Sequence, residues 1–534
     1  MRARVLAAVL LAVAAPALAR SFRHQRLELG GAPATLLTVD LDGDGRRDLV
    51  TVLVSTDWGE IGIDEAQRID EAGAYVEVLT VVPALFERRE LVVHRGAADG
   101  SFAAEPVRLE LDERVHALLE GPSAAPLLAW RDDGIARVSL AGTKLALEPL
   151  VAAPSPLAGS RAFLPDLELT ADVDGDGERD LLLPGDAALA VHLATAAGLS
   201  AKPVARVAYA LEERLPGDAR HYRRGARRHL PLPALVDLDG DRRPELVFRE
   251  AERDWNRLRV LRNLGGGRFG PPVDPLAGRA RDAEPEIVWL GDLDGDGHAE
   301  LVSSEELGGD ADSLRAGMKE AKRPRHRYRV HPLGEDLVWD PEPARSFELE
   351  GHVFGGGGEG LGLPDGIGDL DGDGRVDFVG LTLDFSLVQA LRVMTARSLR
   401  LGLDFEPYCQ QADGRFRSAP GQDLGGKFTL RLDRLRVGRL SSFAGDFDGD
   451  GRADFVQLGR GKRVSIRYGR PGCRFPAADE DVLELAAEPA DLALVRVVDL
   501  DGDGRSDLVA TEPPRKGAVG GRGALDLYFA AEDR

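Results

Sequence analysis

DLDGDGRRDLV, residues 40–50, is the stretch of sequence that decides the fold of this chain. It alternates aspartates with glycines and then enters apolar residues typical of a β-strand. Because each copy also follows a short apolar run, it predicts a loop between two strands of a repeating unit. The six other copies are DVDGDGERD at 172–180, DLDGDRRPE at 237–245, DLDGDGHAE at 292–300, DLDGDGRVD at 369–377, DFDGDGRAD at 446–454 and DLDGDGRSD at 499–507.

The spacing of the copies gives the number of units. Successive copies start 132, 65, 55, 77, 77 and 53 residues apart, so the first interval hides one unit. Residues 115–140, VHALLEGPSAAPLLAWRDDGIARVSL, have the strand–loop–strand layout without the carboxylates. Eight units of roughly 64 residues fit four-stranded propeller blades. We therefore predict an all-β, eight-bladed β-propeller over residues 20–534, with seven blades as the alternative.

The two ends of the chain supply strands that complement each other. Residues 525–529 form a third strand with no partner after it, and residues 21–29 supply an unpaired strand at the start. Pairing them would complete the last blade and close the ring, which removes the exposed sheet edges. An open array of units is the alternative architecture.

The loops have the chemistry of calcium sites. Ca²⁺ takes about six to eight oxygen ligands. Carboxylates at loop positions 1, 3, 5 and 9, with the backbone carbonyl of position 7, provide such a set, and glycines at positions 4 and 6 allow the tight curve. The predicted ligands of up to seven mainly structural Ca²⁺ ions are Asp40, Asp42, Asp44, Arg46 and Asp48; Asp172, Asp174, Asp176, Glu178 and Asp180; Asp237, Asp239, Asp241, Arg243 and Glu245; Asp292, Asp294, Asp296, His298 and Glu300; Asp369, Asp371, Asp373, Arg375 and Asp377; Asp446, Asp448, Asp450, Arg452 and Asp454; and Asp499, Asp501, Asp503, Arg505 and Asp507.

Two alternatives to these sites are weaker. A helix–loop–helix calcium site needs a glutamate at position 12 and flanking helices, whereas strand residues follow here. Mg²⁺ resists full dehydration. The loop at 237–245 departs from the pattern because Arg242 stands where the others have glycine.

These residues resemble a known family. DLDGDGRRDLV together with GAADGSF at 96–102 resembles the FG-GAP/VCBS repeats of integrin α-subunit propellers and of many bacterial secreted proteins. The resemblance implies a β-propeller whose Asp-rich loops bind calcium. It says little about activity, because one fold hosts many functions.

The start of the chain and its charge restrict location and partners. Residues 1–19 combine two arginines, an apolar run and an Ala-Leu-Ala end, which predicts a secretory signal peptide and a secreted or periplasmic protein. The apolar run is too short to span a membrane, and no second one occurs. The formal net charge of −22 becomes −24 without Arg2 and Arg4, which disfavours nucleic-acid binding.

The long connections suggest where a partner would bind. They follow a second strand or precede a first strand, so we expect them on the face opposite the metal loops, where loops on a rigid scaffold carry function. They are residues 56–73, 214–229, 303–325, 355–366 and 381–400. Basic side chains in 214–229 suit carboxylate or sulfate groups of an acidic polysaccharide, and two tryptophans could stack on sugars or cap the core. The candidate ligand-binding residues are Arg220, Arg223, Arg224, Arg227, Arg228, Trp58 and Trp255.

Three smaller features complete the sequence reading. Cys409 and Cys473 lie near third-strand turns of successive units and are candidates for a disulfide. Residues 386–401 have the pattern of an amphipathic helix. No Gly-x-Ser-x-Gly elbow and no HExxH motif occurs in the chain.

The sequence therefore favours a noncatalytic module over an enzyme. We expect a secreted, calcium-binding propeller that binds a glycan or an extracellular protein, in the manner of an adhesion module. The alternative is a polysaccharide lyase or hydrolase with its site on the face opposite the calcium loops.

Overall fold

The computed structural model is built from β-strands throughout the part of the chain that it describes. No helix occurs among those residues, and in particular none that is long and apolar enough to cross a membrane. The described residues are 22–55, 77–80, 88–159, 163–165, 167–209, 212–214, 227–249, 258–277, 286–307, 323–353, 366–384, 398–419, 422, 424–431, 436–437, 441–458, 461–489, 495–512 and 523–530.

The strands alternate with turns along the whole described chain. The strands of the first half are β1 (Phe22–Leu29), β2 (Ala32–Val39), β3 (Asp48–Ser55), β4 (Glu77–Thr80), β5 (Arg88–His94), β6 (Val107–Leu111), β7 (Val115–Glu120), β8 (Leu127–Arg131), β9 (Gly134–Ala141), β10 (Lys144–Ala152), β11 (Thr170–Ala171), β12 (Asp180–Pro184), β13 (Ala188–His192), β14 (Ala194–Thr195), β15 (Gly198–Leu199), β16 (Ala205–Ala208), β17 (Glu212–Arg214), β18 (Arg227–Pro231), β19 (Ala234–Val236), β20 (Glu245–Arg249), β21 (Leu258–Asn263) and β22 (Phe269–Val273). The strands of the second half are β23 (Glu286–Gly291), β24 (Glu300–Leu307), β25 (Arg325–Pro332), β26 (Arg345–Glu350), β27 (Ile367–Gly368), β28 (Asp377–Asp384), β29 (Ser398–Gln410), β30 (Phe416–Ser418), β31 (Gly426–Arg431), β32 (Arg436–Val437), β33 (Ser441–Gly445), β34 (Asp454–Leu458), β35 (Arg463–Arg467), β36 (Asp481–Glu484), β37 (Val495–Val498), β38 (Asp507–Glu512) and β39 (Gly523–Ala530).

Eight antiparallel sheets form the blades of a β-propeller, as the spacing of the repeats predicts. First strands of neighbouring blades contact one another, for example β2 with β7 and β33 with β37. In sheet order, blade 1 is β2-β3-β5-β6, blade 2 is β7-β8-β9-β10, blade 3 is β11-β12-β13-β16, blade 4 is β19-β20-β21-β22, blade 5 is β23-β24-β25-β26, blade 6 is β27-β28-β29-β31-β32 with β30 also on β29, blade 7 is β33-β34-β35-β36, and blade 8 is β37-β38-β39-β1.

Apolar side chains fill the spaces between neighbouring blades. One cluster joins Val50 and Leu91 of blade 1 to Leu118 of blade 2, and another joins Tyr328 of blade 5 to Phe378 of blade 6. Strand side chains alternate between the two faces of a sheet, so each blade contributes to the core on either side of it. The core is therefore a ring of interfaces and not one central cluster.

The first strand closes the ring, as predicted. β1 pairs with β39 along its whole length, from Phe22 opposite Ala530 to Leu29 opposite Gly523. Leu27 and Leu29 are buried in this closure.

Blade 2 is the unit without a metal loop. A turn over residues 121–126 replaces it, closed by the Gly121 amide donating to the Pro126 carbonyl (3.0 Å) and the Ala125 amide donating to the Pro122 carbonyl (2.8 Å). The strand–loop–strand interpretation of residues 115–140 is thus confirmed.

Two features differ from the sequence-based expectation. The predicted helix over 386–401 is wrong at its end, because Ser398 begins strand β29, which pairs with both β28 and β31; residues 386–397 lie outside the described part. A three-stranded sheet, β17-β18-β4, joins the connection within blade 1 to the connection entering blade 4, a pairing that no local pattern predicts.

Candidate metal centres

Seven Asp-rich loops lie between the first and second strands of every blade except blade 2. The aspartate at position 1 shapes each loop by accepting backbone amides of the turn that follows it. In blade 1, Asp40 Oδ1 accepts the Gly43 amide at 2.8 Å and Oδ2 accepts the Gly45 amide at 2.9 Å. The same pair of bonds recurs in the other six loops.

Arg242 takes the place of the position-6 glycine without changing this pattern. Its amide donates to Asp237 Oδ2 at 2.8 Å, as the glycine amide does elsewhere. Its φ of 65° lies in the left-handed region that disfavours a side chain. The loop at 237–245 therefore keeps its shape at a cost in backbone strain.

Position 9 anchors each loop to the rest of its blade. Asp377 is buried, and its Oδ2 accepts the Leu370 amide of the loop at 2.9 Å. Its Oδ1 accepts the Gln410 amide at the end of the third strand at 2.8 Å. The first contact recurs in all seven loops and the second in six of them.

Burial makes these anchoring carboxyls hard to ionise without a nearby positive charge. Desolvation is the main cause that raises the pKa of each one, and backbone amides oppose it. Burial raises the pKa of Asp180 to about 6 and the pKa of Glu245, Glu300, Asp377, Asp454 and Asp507 to about 7.

Position 3 presents an oxygen with no partner in four loops. The Oδ1 atoms of Asp42, Asp239, Asp294 and Asp371 are buried and accept no hydrogen bond. A buried polar atom without a partner raises the free energy of the folded protein. Each of these oxygens is therefore suited to bind a cation directly. This atom is the feature that best tests whether the loops fit a cation.

In three blades an arginine from outside the loop holds the Oδ2 atom of position 3. Arg95 lies 3.6 Å from Asp42 Oδ2, and Arg262 lies 3.4 Å from Asp239 Oδ2. In blade 5, Arg345 lies 3.3 Å from Asp294 Oδ2. These guanidinium groups hold the carboxylate through Oδ2, whereas its Oδ1 atom accepts no hydrogen bond.

Positions 1, 3 and 9 converge in the loops of four blades. In blades 1, 3, 4 and 5 one oxygen from each of the three carboxylates lies within 4.8 Å of the other two. Such a group of hard oxygen donors fits Ca²⁺. Position 5 is engaged differently, because its carboxylate accepts the position-7 amide, and in blade 1 Asp44 also pairs with the Arg46 guanidinium. Pairing of position 5 with the position-7 side chain is a feature that the sequence reading missed.

Neighbouring loops touch each other through their backbones. In blades 5, 6 and 7 the position-8 amide donates to the position-2 carbonyl of the preceding blade, for example Val376 to Leu293 at 3.0 Å. In blade 8 the Ser506 amide donates to the position-1 carbonyl of Asp446 at 2.7 Å. Pro244 has no amide hydrogen to give in blade 4. There the side-chain amide of Asn263 donates to the Val173 carbonyl at 2.7 Å instead.

The sequence of these loops and their flanking strands matches a known family of repeats. The FG-GAP-like repeat matches residues 237–303 and residues 446–510. These two segments are FG-GAP-like repeats. The matched segments cover the metal loops of blades 4, 5, 7 and 8, which are among the loops described above.

Solved structures similar to this chain include a lectin and two lyases. A lectin of Agrocybe aegerita, solved for its recognition of non-reducing terminal N-acetylglucosamine, is 18% identical with a TM-score of 0.39 over 78% of this chain and 91% of its own. The exotype rhamnogalacturonan lyase YesX is 14% identical with a TM-score of 0.28, over 96% of this chain and 75% of its own. The rhamnogalacturonan lyase YesW is 13% identical with a TM-score of 0.27, over 96% and 75%. No curated protein matches the chain.

The two cysteines of the chain meet beside the Asp-rich loop of blade 6. Cys409 and Cys473 form a disulfide, with their Cα atoms 5.7 Å apart. It links the third strand of blade 6 to the turn after the third strand of blade 7.

The candidate ligand-binding residues fall mostly outside the described part of the chain. Arg220, Arg223, Arg224, Trp58 and Trp255 all lie there. Arg227 and Arg228 are in strand β18, where Arg228 is opposite Glu213 and Arg227 is opposite both Arg214 and Thr80.

Proposed function

We propose that this protein is a calcium-stabilised, exported propeller that binds an acidic glycan without cleaving it. The calcium part is supported by the unpaired, buried Oδ1 atoms of Asp42, Asp239, Asp294 and Asp371. Each of these atoms belongs to a group of carboxylates that hard cations prefer. Export is supported by the signal-peptide pattern of residues 1–19.

The binding face is proposed from the course of the strands. β3 has its metal loop at its first residue, Asp48, and the long connection 56–87 at its last, Ser55. β19 has its metal loop after its last residue and the connection from β18 before its first. Ser55 and Ala234, where these connections join their blades, therefore lie at the end of the blades opposite the Asp-rich loops.

The observation that carries the binding proposal is the sheet that these two connections share. β4 and β18 pair although their blades, 1 and 4, are not neighbours in the ring. This sheet contains both ends of an arginine-rich segment, 214–229, at Arg214 and at residues 227–229, in an acidic protein. Guanidinium groups bind carboxylate and sulfate groups through paired hydrogen bonds, which suits an acidic polysaccharide.

The test is retention and product size measured together. The mature protein, in millimolar calcium, is passed over immobilised acidic and neutral polysaccharides, and the recovered chains are sized. We expect retention of intact acidic chains and its loss in Arg223→Ala/Arg227→Ala. A matched control is Arg268→Ala/Arg415→Ala, which removes the same charge from exposed third-strand turns at the metal-loop end.

Three results would change the proposal. Shortened chains would make the protein a polysaccharide lyase or hydrolase. Equal losses in both double variants would reduce the effect to net charge. If no polysaccharide is retained or cut, an extracellular protein becomes the expected partner.

A further inference from the structure

The Cys409–Cys473 disulfide occupies two positions that other blades fill with different residues. The backbone amide that follows Cys409 donates to the position-9 carboxylate of its blade, as does the amide that follows Arg95 in blade 1 and Arg262 in blade 4. Cys409 therefore stands where blades 1 and 4 place the arginine that holds Asp42 or Asp239.

Cys473 stands where other blades have a glycine. In the third-strand turns of blades 1, 4 and 6, a glycine lies two residues before the phenylalanine and has a positive φ: Gly100 (72°), Gly267 (68°) and Gly414 (74°). Cys473 lies two residues before Phe475 and has a φ of 49°. A side chain in this conformation is unfavourable and persists only where the surrounding structure imposes it.

Both cysteines contact ligand candidates of the blade-6 metal loop. Cys409 Sγ lies 3.4 Å from Asp371 Oδ2, and Cys473 Sγ lies 3.3 Å from Asp377 Oδ2. The Gly472 amide, in the same turn as Cys473, donates to Asp371 Oδ2 at 2.7 Å. The disulfide thus holds the blade-7 turn over positions 3 and 9 of the loop.

In this arrangement the Oδ1 atom of Asp371 is buried and accepts no hydrogen bond. Asp371 Oδ2 accepts the neutral Gly472 amide and contacts the Cys409 sulfur, whereas a guanidinium holds Oδ2 of Asp42 and of Asp239. A neutral partner orients the carboxylate without repelling a cation at the site.

We propose that the Cys409–Cys473 disulfide positions the blade-6 loop for Ca²⁺ in place of the arginine used in blades 1 and 4, so that cation affinity at this one loop depends on the disulfide. The inference rests on the calcium binding proposed above. Partners that orient metal ligands without binding the metal typically change affinity by roughly 10- to 100-fold.

Isothermal titration with Ca²⁺ after chelation tests the proposal on the full mature chain. Cys409→Ser/Cys473→Gly removes the disulfide and restores the glycine of the other turns. We expect one site to weaken by roughly 10- to 100-fold while the others keep their affinity. Cys409→Arg/Cys473→Gly reproduces the arrangement of blade 1 and should recover part of that loss.

A second background identifies the site. In Asp369→Asn, which removes position 1 of the blade-6 loop, loss of the disulfide should no longer change calcium affinity. In Asp40→Asn, the equivalent change in blade 1, the effect of losing the disulfide should persist. An unchanged titration in Cys409→Ser/Cys473→Gly, or equal weakening of all sites, would overturn the inference.

Reduction of the unmodified protein provides a measurement that needs no substitution. A dithiol gives two electrons and two protons to the disulfide, producing two thiols, and is itself oxidised to a disulfide. The same single site should weaken, and unaltered affinity in the fully reduced folded protein would contradict the proposal. A wild-type protein that binds no Ca²⁺ would instead overturn the calcium proposal, and this inference with it.

Discussion

Carboxylates at different positions of one loop have different tasks. Position 1 accepts amides and sets the curve, position 9 joins the loop to the third strand, and position 3 presents an unpaired oxygen, as in blade 6 with Asp369, Asp377 and Asp371. The sequence shows which residues can be ligands because hard cations need oxygen donors. It does not show that position 9 has both oxygens on backbone amides, because the second donor is far along the chain.

Arg242 gives a prediction at the scale of one residue. Its φ of 65° is unfavourable for a side chain, and its amide contact does not depend on the side chain. Arg242→Gly should therefore increase the free energy of unfolding by about 1 kcal/mol, since relief of strain exceeds the extra entropy of glycine in the unfolded chain.

Urea denaturation in calcium measures this change. The control is Arg268→Gly, an exposed arginine of the same blade that is not among the non-glycine residues with positive φ, which should not stabilise. A lower stability of Arg242→Gly would show that the guanidinium makes a compensating contact.

Contacts between loops belong to the scale of the element. In blades 5 to 8 the position-8 amide donates to a backbone carbonyl at position 1 or 2 of the preceding loop, so the loops of blades 4 to 8 form a connected series. The spacing is tight: a Cβ on Gly240 would overlap the carbonyl oxygen of Gly297 in the next blade. The order of one loop is thereby tied to that of its neighbours.

Asn263 is the residue that maintains this series at blade 4. It is buried, and its side-chain amide donates to the Val173 and Pro244 carbonyls at 2.7 and 3.0 Å. Asn263→Ala should lower the free energy of unfolding by roughly 1–3 kcal/mol, because it leaves buried carbonyls unpaired.

A double variant separates this effect from simple loss of volume. Pro244→Ala restores the missing position-8 amide, so Asn263→Ala/Pro244→Ala should be more stable than Asn263→Ala alone. Additive effects of the two substitutions in denaturation experiments would argue against a shared acceptor.

The elements also show where sequence reasoning works and where it ends. Loops and second strands follow from local patterns such as DLDGDGRRDLV, and even blade 2 is recognisable from its strand spacing. The β4–β18 pairing joins segments of the chain near residues 78 and 230, and no local propensity encodes such a register. The last four residues of the helix expected at 386–401 belong to strand β29, because tertiary pairing overrides an amphipathic pattern.

At the scale of the whole molecule, charge and metal act together. The seven loops contain 28 carboxylate ligand candidates at positions 1, 3, 5 and 9 in a chain of net charge −22, and seven Ca²⁺ ions would reduce this charge to −8. A site with calcium 100-fold above its Kd stabilises the fold by about 2.7 kcal/mol.

Calcium removal should therefore destabilise the entire propeller. We expect excess chelator to lower the Tm by roughly 10 to 20 °C and calcium addition to restore it. Differential scanning calorimetry measures the shift, and magnesium added with a calcium-selective chelator serves as the control. An unchanged melting curve would show that the loops do not depend on a cation.

Ring closure gives a second prediction at this scale. Leu27 and Leu29 are buried between β39 and the neighbouring blade, whereas Glu28 is exposed. Leu27→Ala and Leu29→Ala should each lower the free energy of unfolding by about 2–5 kcal/mol, whereas Glu28→Ala should change it by less than about 0.5 kcal/mol. Equal effects of all three substitutions on urea denaturation would show that closure contributes little.

The pairing of β1 with β39 also sets the order of events during biosynthesis. β1 is made long before its partner β39, and His24 is bonded to Asp526 across 502 positions. Contacts of such separation form late, because the loop between them must close first. Blade 8 therefore cannot assemble until β39 has been made, and a polypeptide terminated before β39 keeps an unsatisfied edge that quality-control proteases can recognise.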